Sequence, residues 1–266
     1  MNLKVLIRGG GDLATGVAHR LFKSGMKVLI TEIPGPLVIR RTVAFASAVY
    51  EGGITVEGVT ARLQKTEPFF TSEYITVIID SECKICYSLK PDVIIDAIIA
   101  KTNKGTLKYM APLVIALGPG FKAGTDVHRV IETQRGHYLG KIIEEGYAET
   151  DTGIPGEVEG YTSQRIIRAP EDGIFISEKN IGDLIKEGEV IGKVQKAEVK
   201  APLSGLIRGL IKNGIEVKKD LKIGDIDPRE KKDLIYTISD KARALGGSVL
   251  EVIMNFYSDR IIFFEK

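Results

Sequence analysis

The chain has 266 residues, 44% hydrophobic and 27% charged, which is the composition of a soluble globular protein of one large or two modest domains. Lys plus Arg number 37 and Asp plus Glu 35, a net charge of +2, so the basic excess of a nucleic-acid binder is absent. The best apolar run, Val93 to Ala100, is broken by Asp96 and is too short to span a membrane. Two cysteines and no secretory leader predict a cytoplasmic protein without a disulfide framework.

The segment Lys4 to Gly16, KVLIRGGGDLATG, organises the first half. Val5, Leu6 and Ile7 predict a short strand, Gly9, Gly10 and Gly11 a turn, and Asp12, Leu13 and Ala14 the start of a helix. This strand, glycine loop and helix order suits phosphate binding: the loop lets the backbone approach, and the first helical N–H groups face the anion. A second apolar run, Met26 to Thr31, ends at Glu32, 23 residues past Gly9, where an acidic side chain can take a ribose diol. A solvated Glu at a strand end is the plainer alternative. Arg40 and Arg41 follow, able to hold a phosphate or to sit on a solvated face, so NAD and NADP are not distinguished.

Further strands are predicted at Val59–Leu63, Ile75–Asp80, Asp92–Asp96 and Leu113–Leu117, with a helix between Asp80 and Pro91. Alternating strands and helices predict a Rossmann-like α/β fold, a mainly parallel sheet with helices on both faces. Ligands then sit at the carboxyl ends of the strands, which brings the glycine loop, Glu32, Gly118 and Gly120 to one rim. Cys83 and Cys86 form a Cys-x-x-Cys pair without the second pair a zinc site needs, and read best as small buried residues.

Gly118 to Gly140 is the densest polar stretch. His128 and Glu132, four apart, share a side in either a strand or a helix, and His137 follows a glycine that lets it fold back. These three are the candidate catalytic residues. Two histidines and a carboxylate can hold a metal, but the spacing fits no metal motif and the expectation is a polar pocket without metal.

From Arg168 the text repeats. Arg168–Val194 aligns without a gap to Lys200–Ile226 at an offset of 32, matching Ala169, Pro170 and Gly173 to Ala201, Pro202 and Gly205. A unit repeated once predicts two β halves burying one core. Residues 165–227 resemble the biotinyl/lipoyl-like barrel-sandwich hybrid, but Gln195, Lys196 and Ala197 lack the carrier setting, so no covalent biotin or lipoate is expected on Lys196. The domains predicted are 1–160, 165–227 as an all-β insertion, and 228–266, whose helix from Ile238 to Met254 returns to the first domain. Gly246 and Gly247 within that helix argue for tight packing.

The phrases GGGDLATG, EIPGP, GPGFKAGTDVH, ETQRGHYLG, TGIPG, KIGDIDPR and ISDKARALGG occur in order along nearly the whole chain. Together they resemble the selenium-dependent molybdenum hydroxylase accessory protein family (YqeB-like), related in part to XdhC-type maturation factors. The resemblance implies maturation of selenium-containing molybdenum hydroxylases, with a molybdopterin-type cofactor on the glycine loop, where the fingerprint by itself suggests NAD(P). It implies a client hydroxylase or other maturation factors as partners; self-association is left open. Asp240, Lys241, Arg135 and Asp227 are added as candidate pocket residues. An NAD(P)-dependent oxidoreductase, with His128 or His137 moving the proton, and a non-enzymatic docking scaffold are the alternatives.

Overall fold

The strand before the glycine loop is the middle of a nine-stranded sheet. A computed structural model describes residues 2–258. The chain divides into two units, the first made of Met1–Pro34, Phe45–Asp151 and Ile238–Lys266, the second of Gly35–Ala44 and Thr152–Thr237. Among the described residues no helix is long and apolar enough to cross a membrane.

In the first unit the chain runs β1 (Lys4–Arg8), α1 (Asp12–Lys23), β2 (Lys27–Glu32), α2 (Ala48–Glu51), β3 (Gly53–Val56), β4 (Val59–Leu63) and β5 (Ile75–Ile79). It continues with α3 (Cys86–Leu89), β6 (Val93–Asp96), β7 (Leu113–Leu117), β8 (Lys122–Ala123), β9 (Arg129–Ile131), β10 (Ile142–Ile143) and β11 (Gly146–Tyr147), and α4 (Asp240–Phe256) returns after the second unit. The large sheet has the order β10-β9-β7-β6-β1-β2-β5-β4-β3. All neighbours are parallel except the edge pairs β9–β10 and β4–β3. The central strands are covered on both faces, and continuous apolar runs such as LVIAL follow from that. Within Val127–Thr133, ambiguous in sequence, Arg129–Ile131 form strand β9.

The expectation of a Rossmann-like fold with helices on both faces is corrected. Among the described residues, α2 and α3 are four residues each, and the crossovers from β2 to β5, β6 to β7 and β7 to β9 contain no longer helix. One face buries Leu6, Leu29, Ile94 and Val114 against Cys83, Cys86, Phe121 and Val127, which come from α3, its approach and loop. The segment between Asp80 and Pro91 cannot extend its single helical turn because Cys83 and Lys90 both adopt positive φ, at 58° and 45°. The result is a mixed sheet with few helices, of which only α1 and α4 are long.

Those two pack closely on each other. A Cβ on Gly16 would lie 2.6 Å from the Ala242 Cβ, and one on Gly246 would lie 3.1 Å from the Arg20 Cβ. The contact advances four residues on both helices together, so α1 and α4 run parallel. Ser239 caps α4 by accepting from the Ala242 N–H.

The second unit holds β12 (Ile166–Arg168), β13 (Gly173–Ser177), β14 (Leu184–Ile185), β15 (Val190–Val194), β16 (Ala197–Lys200), β17 (Gly205–Leu210), β18 (Glu216–Val217) and β19 (Lys222–Asp227). They form two four-stranded sheets, β12-β19-β17-β14 and β16-β15-β13-β18. Adding 32 to the first residue of β12, β13, β14 and β15 falls on β16, β17, β18 and β19, so the same shift carries one sheet's order into the other's. Phe175, Ile191 and Val194 of the first half meet Ile207, Ile223 and Ile226 of the second in one core. Residues 35–44 belong to this unit. The Leu210 N–H donates to the Ile39 carbonyl at 2.8 Å, and the Arg41 Nε donates to the Leu210 carbonyl at 2.8 Å. Arg40 donates to the carbonyls of Leu234 and Thr237, both at 3.0 Å. Arg40 and Arg41 therefore tie the second unit together and are not a phosphate clamp.

Candidate functional site

The carboxyl ends of the parallel strands carry most of the residues that sequence singled out. Gly9 turns the chain with φ 87°, and its N–H donates to the Thr31 carbonyl at 2.8 Å. A Cβ there would meet the Ala97 carbonyl oxygen and the Ile98 Cα at 3.2 Å. A Cβ on Gly10 would lie 2.8 Å from the Ala46 nitrogen, whose N–H donates to the Gly10 carbonyl. Gly9 and Gly10 thus admit the chain's own backbone. Gly11 is the N-cap of α1 and offers no side chain, so the amides of Leu13 and Ala14, in the first turn, have no acceptor within the helix. Thr15 Oγ1 bonds the Gly11 carbonyl and accepts from the Phe45 N–H, both at 2.8 Å, which fixes the loop's far side.

Glu32 faces this loop. Its Oε2 accepts from the Gly10 N–H and its Oε1 from the Ile33 N–H, each at 2.8 Å. Burial raises its pKa, and the two amides oppose that rise. The side chain expected on a ribose diol spends both oxygens on clamping the glycine loop to the end of β2.

Gly118 and Gly120, with φ 76° and 105°, also serve close approach. Cβ atoms would lie 2.6 Å from Thr133 Oγ1 and 2.8 Å from the Lys101 carbonyl. Beneath the rim is a network that sequence missed. Arg8 and Asp96, each 2% exposed, end adjacent parallel strands and face each other at 3.5 Å. Thr106 bridges them, and Arg8 Nη2 donates to the Lys104 carbonyl at 3.1 Å. Burial raises the Asp96 pKa; the Thr106 hydrogen bond and the Arg8 charge lower it. The only sequence signal was the charge interrupting an apolar strand.

The three catalytic candidates do not converge. His128 precedes β9 and Glu132 follows it, about 13 Å apart at ordinary strand rise. Glu132, 2% exposed, accepts from the amides of Gln134 at 2.6 Å and Glu149 at 2.7 Å and so anchors two loops. His137 is exposed and sits edge-on to Tyr138. Among the described residues no group of three or more His, Cys, Asp or Glu can hold a metal. Cys83 and Cys86 are both buried; burial, with Cys86 beside it, pushes the Cys83 thiol up to about 12. Asp227 lies in the second unit, where it holds Arg229 at 2.6 Å.

A charge cluster marks the start of both long helices. Arg135 holds Asp240 with two hydrogen bonds of 2.8 and 2.7 Å. Lys101 pairs with Asp151. Lys241, half-buried, makes no hydrogen bond or ion pair among the described residues. Its pKa is lowered by desolvation and by Arg135, against the carboxylates of Asp12, Asp151 and Glu132. Because α1 and α4 run parallel, both positive helix ends meet at this rim.

No protein-family model matches the chain. It is 52% identical over 254 residues to the Escherichia coli (strain K12) protein described as "Uncharacterized protein YqeB", a match covering 94% of this chain and 47% of that one. The chain thus spans about half the length of this curated relative. Similar solved structures include a succinylglutamate desuccinylase/aspartoacylase from Rhodobacter sphaeroides, at 14% identity, and an aspartoacylase family protein from Mesorhizobium loti, at 12%. Each covers 85% of both chains with a TM-score of 0.26, a likeness too slight to define a shared fold.

These findings correct the assignment to a molybdenum hydroxylase maturation family. The curated relative is described only as uncharacterised, and that description names neither a maturation role nor an XdhC-type factor. The selenium and molybdenum maturation roles are withdrawn with it. Of the two proton-transfer residues the oxidoreductase alternative named, His128 lies at the amino end of the sheet, away from the glycine loop, and His137 is exposed in the loop after β9.

Proposed function

We propose that the first unit binds a small-molecule anion carrying a phosphate or carboxylate group, seated at the rim where α1 and α4 begin. The observation that carries this reading is Lys241. Among the described residues it is a half-buried ammonium without a partner, at the meeting point of two parallel helix N-termini. The carboxylates around it are largely committed: Asp240 to Arg135, Asp151 to Lys101 and Glu132 to two amides. Two like helix ends side by side repel, and an anion between them relieves that repulsion as well as the desolvated lysine. The uncapped amides of Leu13 and Ala14 supply donors.

The test is calorimetric titration with inorganic pyrophosphate, NAD, NADP and a molybdopterin-type cofactor as phosphate-bearing probes. Wild-type protein is expected to bind at least one of them, and Lys241→Met to weaken that binding about tenfold or more. Equal binding by the variant, or no binding of any probe up to about 10 mM, overturns the reading.

A further inference from the structure

We propose a second ligand site at the opposite, amino-terminal edge of the same sheet: a cavity suited to a small zwitterion with an apolar side chain, such as a free amino acid. The cavity has a volume of about 410 Å³ and lies where the last turns of α4 pass the starts of β7 and β9. That volume falls in the range of small-molecule pockets. Leu113, Ile142 and Val252 line it with apolar surface.

Its polar groups are His128, Arg129, Asn255 and the carboxylates of Glu144 and Glu251. The Val114 N–H donates to His128 Nδ1 at 2.9 Å, so in the neutral ring Nε2 must carry the proton. Burial, then the charges of Lys108 and Arg129, lower the His128 pKa and keep the ring neutral. Nε2–H has no acceptor among the described residues, and the ring stands edge-on to Phe256 with centroids 6.2 Å apart. Arg129 Nη1 donates to the His128 carbonyl at 2.8 Å, which places a guanidinium beside the imidazole. Arg129 Nη2 pairs with the exposed carboxylate of Glu144 at 3.4 Å, so the donor left for a ligand carboxylate is the His128 N–H, with the guanidinium beside it. Glu251, with no ion pair among the described residues, also lines the cavity, in the last turns of α4. A carboxylate and a helix C-terminus together favour an ammonium. One ligand with a carboxylate, an ammonium and an apolar side chain answers all three features. A simple carboxylic acid would leave Glu251 unanswered, and a simple amine would leave the His128 N–H unanswered.

The chain has three histidines, so the His128 imidazole can be assigned in a ¹H–¹⁵N spectrum of the full chain. L-Phenylalanine is the probe, with 3-phenylpropionate and phenethylamine as its forms lacking one charge. Phenylalanine is expected to shift the His128 signal and to bind about tenfold more tightly than either relative. Glu251→Gln, an exposed change that leaves the fold intact, should remove most of that advantage without changing 3-phenylpropionate binding. The proposal is overturned by an unmoved His128 signal up to about 10 mM phenylalanine, by equal binding of the three probes, or by a Glu251→Gln variant that keeps the advantage.

Discussion

Three glycines in the α1–α4 pair offer a sign test, because the same substitution should stabilise at one and destabilise at the others. A methyl group on Gly247 would have nothing within 4 Å, so Gly247→Ala adds only helix propensity, about 1 kcal/mol. For the first unit that corresponds to a rise of about 2–4 °C in Tm. Gly246→Ala gains the same propensity, but its methyl would lie 2.9 Å from the Gly16 carbonyl oxygen and 3.1 Å from the Arg20 Cβ. Backbone oxygen in the facing helix cannot swing aside, and overpacking of this kind costs about 1–3 kcal/mol. The net should be a loss of up to about 2 kcal/mol. Gly16→Ala is tighter still, at 2.6 Å from the Ala242 Cβ and 2.8 Å from its carbonyl oxygen, and should lose more. Urea unfolding followed by the helical circular-dichroism signal measures all three, since α1 and α4 dominate the described helix. A Gly246→Ala protein as stabilised as Gly247→Ala would refute the close parallel packing, and with it the convergence of helix ends at the rim.

Other expectations are simpler. Anion binding at the rim should weaken as pH rises, because the anion favours the Lys241 ammonium and the free-state pKa lies below its ordinary 10.5; Lys241→Met should flatten that part of the profile, measured by calorimetry at several pH values. Cys83 and Cys86 should react with a disulfide reagent about a hundredfold or more slowly in native protein than in urea, since both are buried and the first is pushed up to about 12; fast native reaction would contradict their burial. In the second unit, Gly205→Ala should cost more stability in thermal melts than its counterpart Gly173→Ala. The two glycines have similar φ, 153° and 148°, but the new Cβ meets the Asp227 carbonyl oxygen at 2.7 Å in one case and the flexible Gln195 side chain in the other.

Local signals were legible where local chemistry sets the structure. The runs at Val59–Leu63 and Leu113–Leu117 coincide with β4 and β7: β7 is apolar throughout because both its faces are covered, whereas β4, VTARL, alternates between buried and more exposed positions. The offset of 32 is visible because each half repeats its own turns and core positions. Of the two helix glycines, Gly246 packs as its residue type suggested, whereas Gly247 does not. Long-range partners were not legible. Nothing in Glu32 says that Gly10 will take its carboxylate, and nothing in Arg8 says that Asp96, 88 residues on, lies in register with it. The missing crossover helices are a failure of inference from alternation: short apolar runs fix the strands but not what connects them. Residues 35–44 carry little that links them to Leu210, because that link is made by backbone and by Arg41 across 169 residues.

The interleaving of the two units bears on how the chain comes off the ribosome. Domains ordinarily fold in turn as they emerge, the N-terminal one first. Here α1 emerges long before α4, the helix it packs against, and residues 35–44 wait for strands that follow residue 151. Newly made β1 to β7 therefore expose the apolar stripe of α1 until almost the whole of this stretch has been synthesised. During that interval the nascent sheet depends on chaperone cover or on its own slow closure, and truncation ahead of residue 240 should leave an aggregation-prone chain instead of a smaller folded one.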